Sequence, residues 1–174
     1  MLDKKPPAKL DLTVILALPR PKVLRRLIMD MTSLGVNKLI IINSYRTQKS
    51  YWQSPLLERI DEFIFEGLQQ AIDTIPLKVE FKKRFKPFVE DEFPALAGDA
   101  LIAHPYASQS WNSYIDSLHK KSMPKILCIG AEGGWIDYEV DLLCKHGCTA
   151  VSLGERILRT ETVVSVLLGR WLEG

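Results

Sequence analysis

The 174-residue chain is poor in the residues that mark specialised folds. It holds three cysteines, Cys128, Cys144 and Cys148, which cannot all pair with one another. The stretch Met1-Leu2-Asp3-Lys4-Lys5-Pro6-Pro7 contains no apolar core of a secretory signal. Together these read as a protein of the reducing cytoplasm rather than an exported disulfide scaffold. No apolar run approaches the ~18 residues that a membrane span needs, so no membrane partner is expected. Neither sign of charge dominates: 23 Lys+Arg against 21 Asp+Glu leave +2, too mild by itself to announce a nucleic-acid protein. Neither G-x-G-x-x-G nor G-x-x-x-x-G-K-[ST] occurs, which removes a dinucleotide fingerprint and a P-loop. Cys144, His146 and Cys148 straddle a helix stop at Gly147 and lack a fourth partner, so no metal is expected.

What remains is an ordinary globular composition, 47% hydrophobic and 25% charged. The length suits one domain with a full core. Residues 1–11, rich in Pro, Lys and Asp, read as an arm or interdomain linker, and residues 12–174 as the domain. Short apolar runs at Leu12–Leu18, Lys38–Ile42, Leu77–Phe81, Ala100–Ala103, Lys125–Ile129 and Ala150–Leu153 read as strands. Between them lie helical patterns at Val23–Leu34, Pro55–Ile72, Ser110–Lys120, Ile136–His146 and Thr160–Trp171, with one short helix within 82–98. Asp137 and Thr160 are the expected helix caps. Such alternation predicts an α/β fold with a mostly parallel sheet flanked by helices. Ligands of these sheets sit at the carboxyl ends of the strands.

Those strand ends carry the chemistry. Gly130-Ala131-Glu132-Gly133-Gly134 follows one strand and lets backbone approach a ligand closely, or serves as a tight turn. Gly154-Glu155-Arg156-Ile157-Leu158-Arg159-Thr160-Glu161-Thr162 follows the last strand, with more polar groups than a helix cap requires. His104-Pro105-Tyr106 and Asn43-Ser44-Tyr45-Arg46-Thr47 follow two others. Basic groups at Arg20, Lys22, Arg25 and Arg26 and at Lys82, Lys83, Arg84 and Lys86 read as solvated surface or as phosphate contacts.

The two loops Gly130–Gly134 and Ser152–Thr162 resemble the RsmE family of SPOUT ribosomal RNA (uridine-N3) methyltransferases. That family usually shows G-P-E-G-G, then S-L-G-x-R-I-L-R-T-E-T about twenty residues later. His104-Pro105, Leu18-Pro19 and Ser44 with Arg46 also fit, and the resemblance covers residues 12–172. It implies a C-terminal trefoil knot, a homodimer, and S-adenosyl-methionine as cofactor. The implied reaction is methylation at N3 of a uridine in 16S, small-subunit ribosomal RNA, with that RNA or the small ribosomal subunit as partner. Ala131 stands where the family usually has Pro, and Tyr45 where it usually has Glu. The family's basic segment is poorly matched at Gln69–Pro76. The family normally carries an N-terminal PUA-like RNA-binding barrel, and residues 1–11 read like the linker after it, so a truncation is expected.

On this resemblance the cofactor would be held by Ala103, His104, Ile129, Gly130, Gly133, Gly134, Leu153, Gly154, Ile157 and Leu158. Arg159 would stabilise the developing uridine anion or anchor a phosphate. Glu161 is the first choice as base and Glu132 the second. The alternatives are a dipole-stabilising acid for Glu161 and a carboxylate that holds loop amides for Glu132. Arg20, Lys22, Arg25 and Arg46 would face RNA phosphates. Tyr106 and Trp111 could stack a base or pack in the core or at a dimer contact. Two competing readings are an RNA-binding or ribosome-assembly protein that lost catalysis and an unrelated α/β ligand-binding domain.

Overall fold

The computed structural model describes residues 4–119 and 122–172. The expected end of one helix at Lys120, and the first three residues of the arm, lie outside them.

Six strands form one sheet: β1 (Leu10–Ala17), β2 (Val36–Ile42), β3 (Lys78–Lys82), β4 (Ala100–Ala103), β5 (Ile126–Ile129) and β6 (Cys148–Val151). Their order is β3-β2-β1-β5-β4-β6, and all neighbouring pairs run parallel. A parallel sheet is covered on both faces, so its inner strands are apolar at nearly every position. In β1, Val14 and Leu16 face one core while Ile15 and Ala17 face the other. The first core is closed by α1 (Pro21–Ser33), α2 (Ile60–Ala71), α4 (Trp111–Ser117) and α6 (Thr160–Leu172). The second is closed by α5 (Asp137–Lys145) and by a helical stretch that starts as α3 (Phe85–Pro87). That stretch continues through a π turn at Phe88–Glu92 and a 3-10 turn at Phe93–Ala95. Phe88, Val89 and Phe93 point into the core from it, each worth ~1.5–3 kcal/mol of burial.

The expected elements all occur, with shifted ends. β1 starts at Leu10, two residues ahead of the expected strand, because Leu10 pairs with Val36. The expected helix over 55–72 begins with a 3-10 turn at Pro55–Arg59 before α2. β6 begins at Cys148 because Cys148 pairs with Ala100. Asp137 is not the cap of α5: Ile136 takes the N-cap position, and the Glu139 carboxylate reaches back to accept its backbone N–H at 3.0 Å. Thr160 does not point at its own helix either, since its hydroxyl donates to the Gly130 carbonyl at 3.2 Å. Among the described residues no helix is long and apolar enough to cross a membrane.

Candidate functional site

Because every strand is parallel, the loops after them gather on one edge. The order β2-β1-β5-β4-β6 places the glycine loop after β5 in the middle of that edge. Loops from β1 and β2 brace it on one side, and loops from β4 and β6 face it on the other. The cleft between them is lined by all ten residues expected to hold a cofactor: Ala103 and His104 after β4; Ile129, Gly130, Gly133 and Gly134 at β5; Leu153, Gly154, Ile157 and Leu158 after β6.

The far wall is stitched together through the backbone. His104 N–H donates to the Val151 carbonyl at 3.0 Å, Ser152 N–H to Gln109 at 2.9 Å, and Trp111 N–H to Ser152 at 2.9 Å. The Thr160 hydroxyl then ties the first turn of α6 to the Gly130 carbonyl. Segment 152–160 is thereby held at both ends against β4 and β5.

Two glycines of this loop sit where a side chain would crowd its neighbours. A Cβ on Gly130 would lie 3.1 Å from the Gly134 Cα, and one on Gly133 would lie 2.8 Å from the Arg46 Cδ. Two side chains fasten this loop to the loops after β1 and β2. The Glu132 carboxylate accepts the Arg20 backbone N–H at 2.8 Å. The Arg46 guanidinium donates to the Gly133 carbonyl. Across the same region, the buried carboxylate of Glu139 accepts the Tyr45 backbone N–H at 2.6 Å.

Two buried side-chain nitrogens here, His104 Nδ1 and Trp135 Nε1, have no hydrogen-bond partner among the described residues. Both residues line the cleft. An unmade bond of this kind costs ~1–3 kcal/mol, so these atoms call for a ligand or water. Burial holds the His104 imidazole below its ordinary value, against an opposing pull from the Asp137 carboxylate. The imidazole is therefore neutral at physiological pH.

Of the expected catalytic residues, Glu132 belongs to the lining of this cleft, while Arg159 and Glu161 stand outside it. Glu132 lines it but is occupied with Arg20. Glu161 forms an ion pair with Arg26 at 3.1 Å. Arg159 is exposed just outside the lining, with no ion pair among the described residues. Of the expected phosphate-facing residues, Arg46 lines the cleft, while Arg20 and Lys22 are exposed at the start of α1. Arg25 is drawn away: it pairs with Glu66 at 3.2 Å and lies over the Phe63 ring at 5.3 Å. Trp111 packs in the core against Trp171, whereas Tyr106 is exposed at the cleft.

Arg156, Trp135, Thr160 and Val163 also line the cleft and were not picked out from sequence. Arg156 and Thr160 belonged to a loop whose surplus of polar groups was visible. Trp135 and Val163 gave no signal distinct from core residues. Among the described residues no three His, Cys, Asp or Glu side chains are placed to hold a metal ion. The Cys128 and Cys148 sulfurs lie 3.9 Å apart in the second core, where their mutual contact and burial push the Cys128 thiol well up.

A doubly covered parallel sheet with a glycine-lined cleft at its carboxyl edge defines an α/β ligand-binding domain of the kind that cofactor-dependent enzymes use. The family is more definite: the chain belongs to the RNA methyltransferase domain family, whose model matches residues 6–172. Among curated relatives it is 28% identical over 158 residues to ribosomal RNA small subunit methyltransferase E of Treponema pallidum, covering 89% of this chain and 59% of that one. It is 30% identical over 164 residues to the enzyme of the same name from Synechocystis, covering 92% of this chain and 52% of that one. The chain thus spans between half and three-fifths of the length of these relatives. The fold is shared with the Neisseria gonorrhoeae enzyme of that name, solved bound to S-adenosyl methionine, at a TM-score of 0.75 and 20% identity, covering 97% of this chain and 67% of that one. A proposed methyltransferase of Legionella pneumophila, Lpg2936, solved with the bound cofactor, gives a TM-score of 0.75 at 24% identity over 94% of this chain and 66% of that one.

Proposed function

We propose that the chain is the catalytic domain of an RsmE-type enzyme: an S-adenosyl-methionine-dependent methyltransferase acting on N3 of a uridine in 16S ribosomal RNA. The observation that carries this is the convergence of the loops after β4, β5 and β6 on one cleft where the buried His104 Nδ1 and Trp135 Nε1 have no partner among the described residues. The reading includes a C-terminal trefoil knot, a homodimer, and work in the cytoplasm on the small ribosomal subunit.

The donor set suits this cofactor. Leu153, Ile157 and Leu158 give an apolar wall for an adenine ring, and the glycine loop gives close backbone access. Trp135 Nε1 is a donor without an acceptor, and neutral His104 offers Nδ1 as donor or acceptor. When bound, S-adenosyl-methionine supplies an activated methyl group on a sulfonium. The chain's own residues then align the uridine, exclude water and handle one proton. Arg159, next to the cleft and without an ion pair among the described residues, stabilises the uridine anion or anchors its phosphate. Glu161 is the proton acceptor, reached by exchanging its ion pair with Arg26, and Glu132 is the second choice. Arg20, Lys22 and Arg46 supply phosphate contacts, and Arg25 joins them by exchanging its ion pair with Glu66.

Incubation with small ribosomal subunits and S-adenosyl-methionine, followed by mass mapping of the RNA, tests the reading. A methyl group at N3 of a single uridine is expected. RNA that is bound but left unmethylated points instead to the assembly-protein alternative.

A further inference from the structure

We propose that Tyr45 is a nucleobase-stacking residue, an exposed aromatic ring next in sequence to the cleft-lining Arg46 that holds an unpaired RNA base near the methylation site. The inference deepens the reading above and rests on it for the nature of the ligand.

Its ground is a contrast within the loop after β2. Ser44 and Thr47 are buried. The Thr47 hydroxyl donates to the Leu18 carbonyl at 3.0 Å and therefore accepts from the Ser44 hydroxyl at 2.9 Å. The Tyr45 backbone N–H is held by the buried carboxylate of Glu139, and Arg46 by the Gly133 carbonyl. The loop is thus pinned to β1, to α5 and to the glycine loop. Yet the Tyr45 side chain is 80% exposed. A ring on a pinned backbone loses little conformational freedom when something stacks on it, which is the condition for useful stacking energy.

The surroundings select the partner. Arg46, next in sequence, lines the cleft, as does Arg156 from the loop after β6. Tyr106 is 77% exposed on the loop after β4. The β2-β1-β5-β4 order places these two tyrosine-bearing loops roughly 14 Å apart along the sheet edge, at ~4.8 Å per strand, with the glycine loop between them. Exposed aromatic rings on loops that also carry guanidinium groups match single-stranded RNA, whose bases stack on the rings while its phosphates meet the cations. Duplex RNA keeps its bases stacked inside and offers the ring nothing.

The test titrates the full chain with fluorescein-labelled oligouridylate of about ten nucleotides and with an abasic RNA of equal length. Tyr45→Ala should weaken oligouridylate binding roughly 5- to 100-fold, the loss of one stacked base. Tyr45→Phe should stay within about two-fold, and abasic RNA should bind wild type and Tyr45→Ala alike. Because the ring is exposed and alanine keeps the backbone N–H, the fold is unaffected. Three results overturn the proposal: no oligouridylate binding by wild type, equal binding by Tyr45→Ala, or an equal loss with abasic RNA. Titration of the same samples with S-adenosyl-homocysteine scores the methyltransferase reading separately, and Tyr45→Ala should leave that affinity unchanged.

Discussion

The Glu132 carboxylate accepts the backbone N–H of Arg20, 112 residues away, at 2.8 Å. Arg20 sits at the N-cap of α1, and its own side chain caps nothing. Glu132 therefore serves as an imported cap and anchors the glycine loop to the first helix. Glu132→Gln keeps an acceptor oxygen and should retain most turnover. Glu132→Ala loses the tie, lowering stability by about 1 kcal/mol in thermal unfolding and weakening S-adenosyl-homocysteine several-fold. A Gln variant as inactive as the Ala variant, with its fold and cofactor affinity intact, would make Glu132 the base.

Arg159 separates binding from chemistry. Its side chain lies outside the cleft lining and has no ion pair among the described residues. Arg159→Ala should abolish turnover and leave cofactor affinity within a few-fold. Equal losses in both, measured by methyl incorporation and calorimetry, would make it a cofactor or structural residue.

His104 gives a pH signature. Burial depresses its folded pKa below 6.5, so the unfolded chain takes up a proton before the folded chain does as pH falls. Its contribution is full above 6.5 and is lost as pH drops below that value. Relative to His104→Asn, wild type should therefore lose Tm on going from neutral pH to about 5.5. A gap that stays constant with pH would contradict the depressed value.

Helix α6 keeps Val166 and Leu172 about half exposed beside its buried Val164, Leu167, Leu168 and Trp171. Two copies of the chain are expected to pair, with this surface part of the contact. Light scattering at micromolar concentration should give twice the chain mass, and Val166→Glu should lower it. A monomer for wild type would count against pairing.

The sheet was legible because strands buried on both faces are written as continuous apolar runs, as in Leu12–Leu18. The cleft was legible because its glycines and polar groups cluster at strand ends, where a parallel sheet puts its ligands. Contacts between distant segments left no trace in local spacing. The buried carboxylate of Glu139, in the first turn of α5, holds the N–H of Tyr45, 94 residues away. Thr160 looked like a cap and instead reaches across to Gly130. Residues 82–98 read as mixed sequence with one short helix because the π and 3-10 turns that follow Phe85–Pro87 break the 3.6-residue period, although Phe88, Val89 and Phe93 fill the second core.

On the proposed function, the loop after β5 presents backbone to S-adenosyl-methionine. Calorimetric titration of S-adenosyl-homocysteine into wild type, Gly130→Ala and Gly133→Val tests it most directly. In Gly130→Ala the new Cβ meets backbone at 3.1–3.2 Å, so the loop itself must move. In Gly133→Val it displaces the Arg46 side chain that latches the loop. One site per chain is predicted for wild type, and loss of binding with little loss of Tm for both variants. No binding by wild type, or undiminished affinity in both variants, would contradict the account.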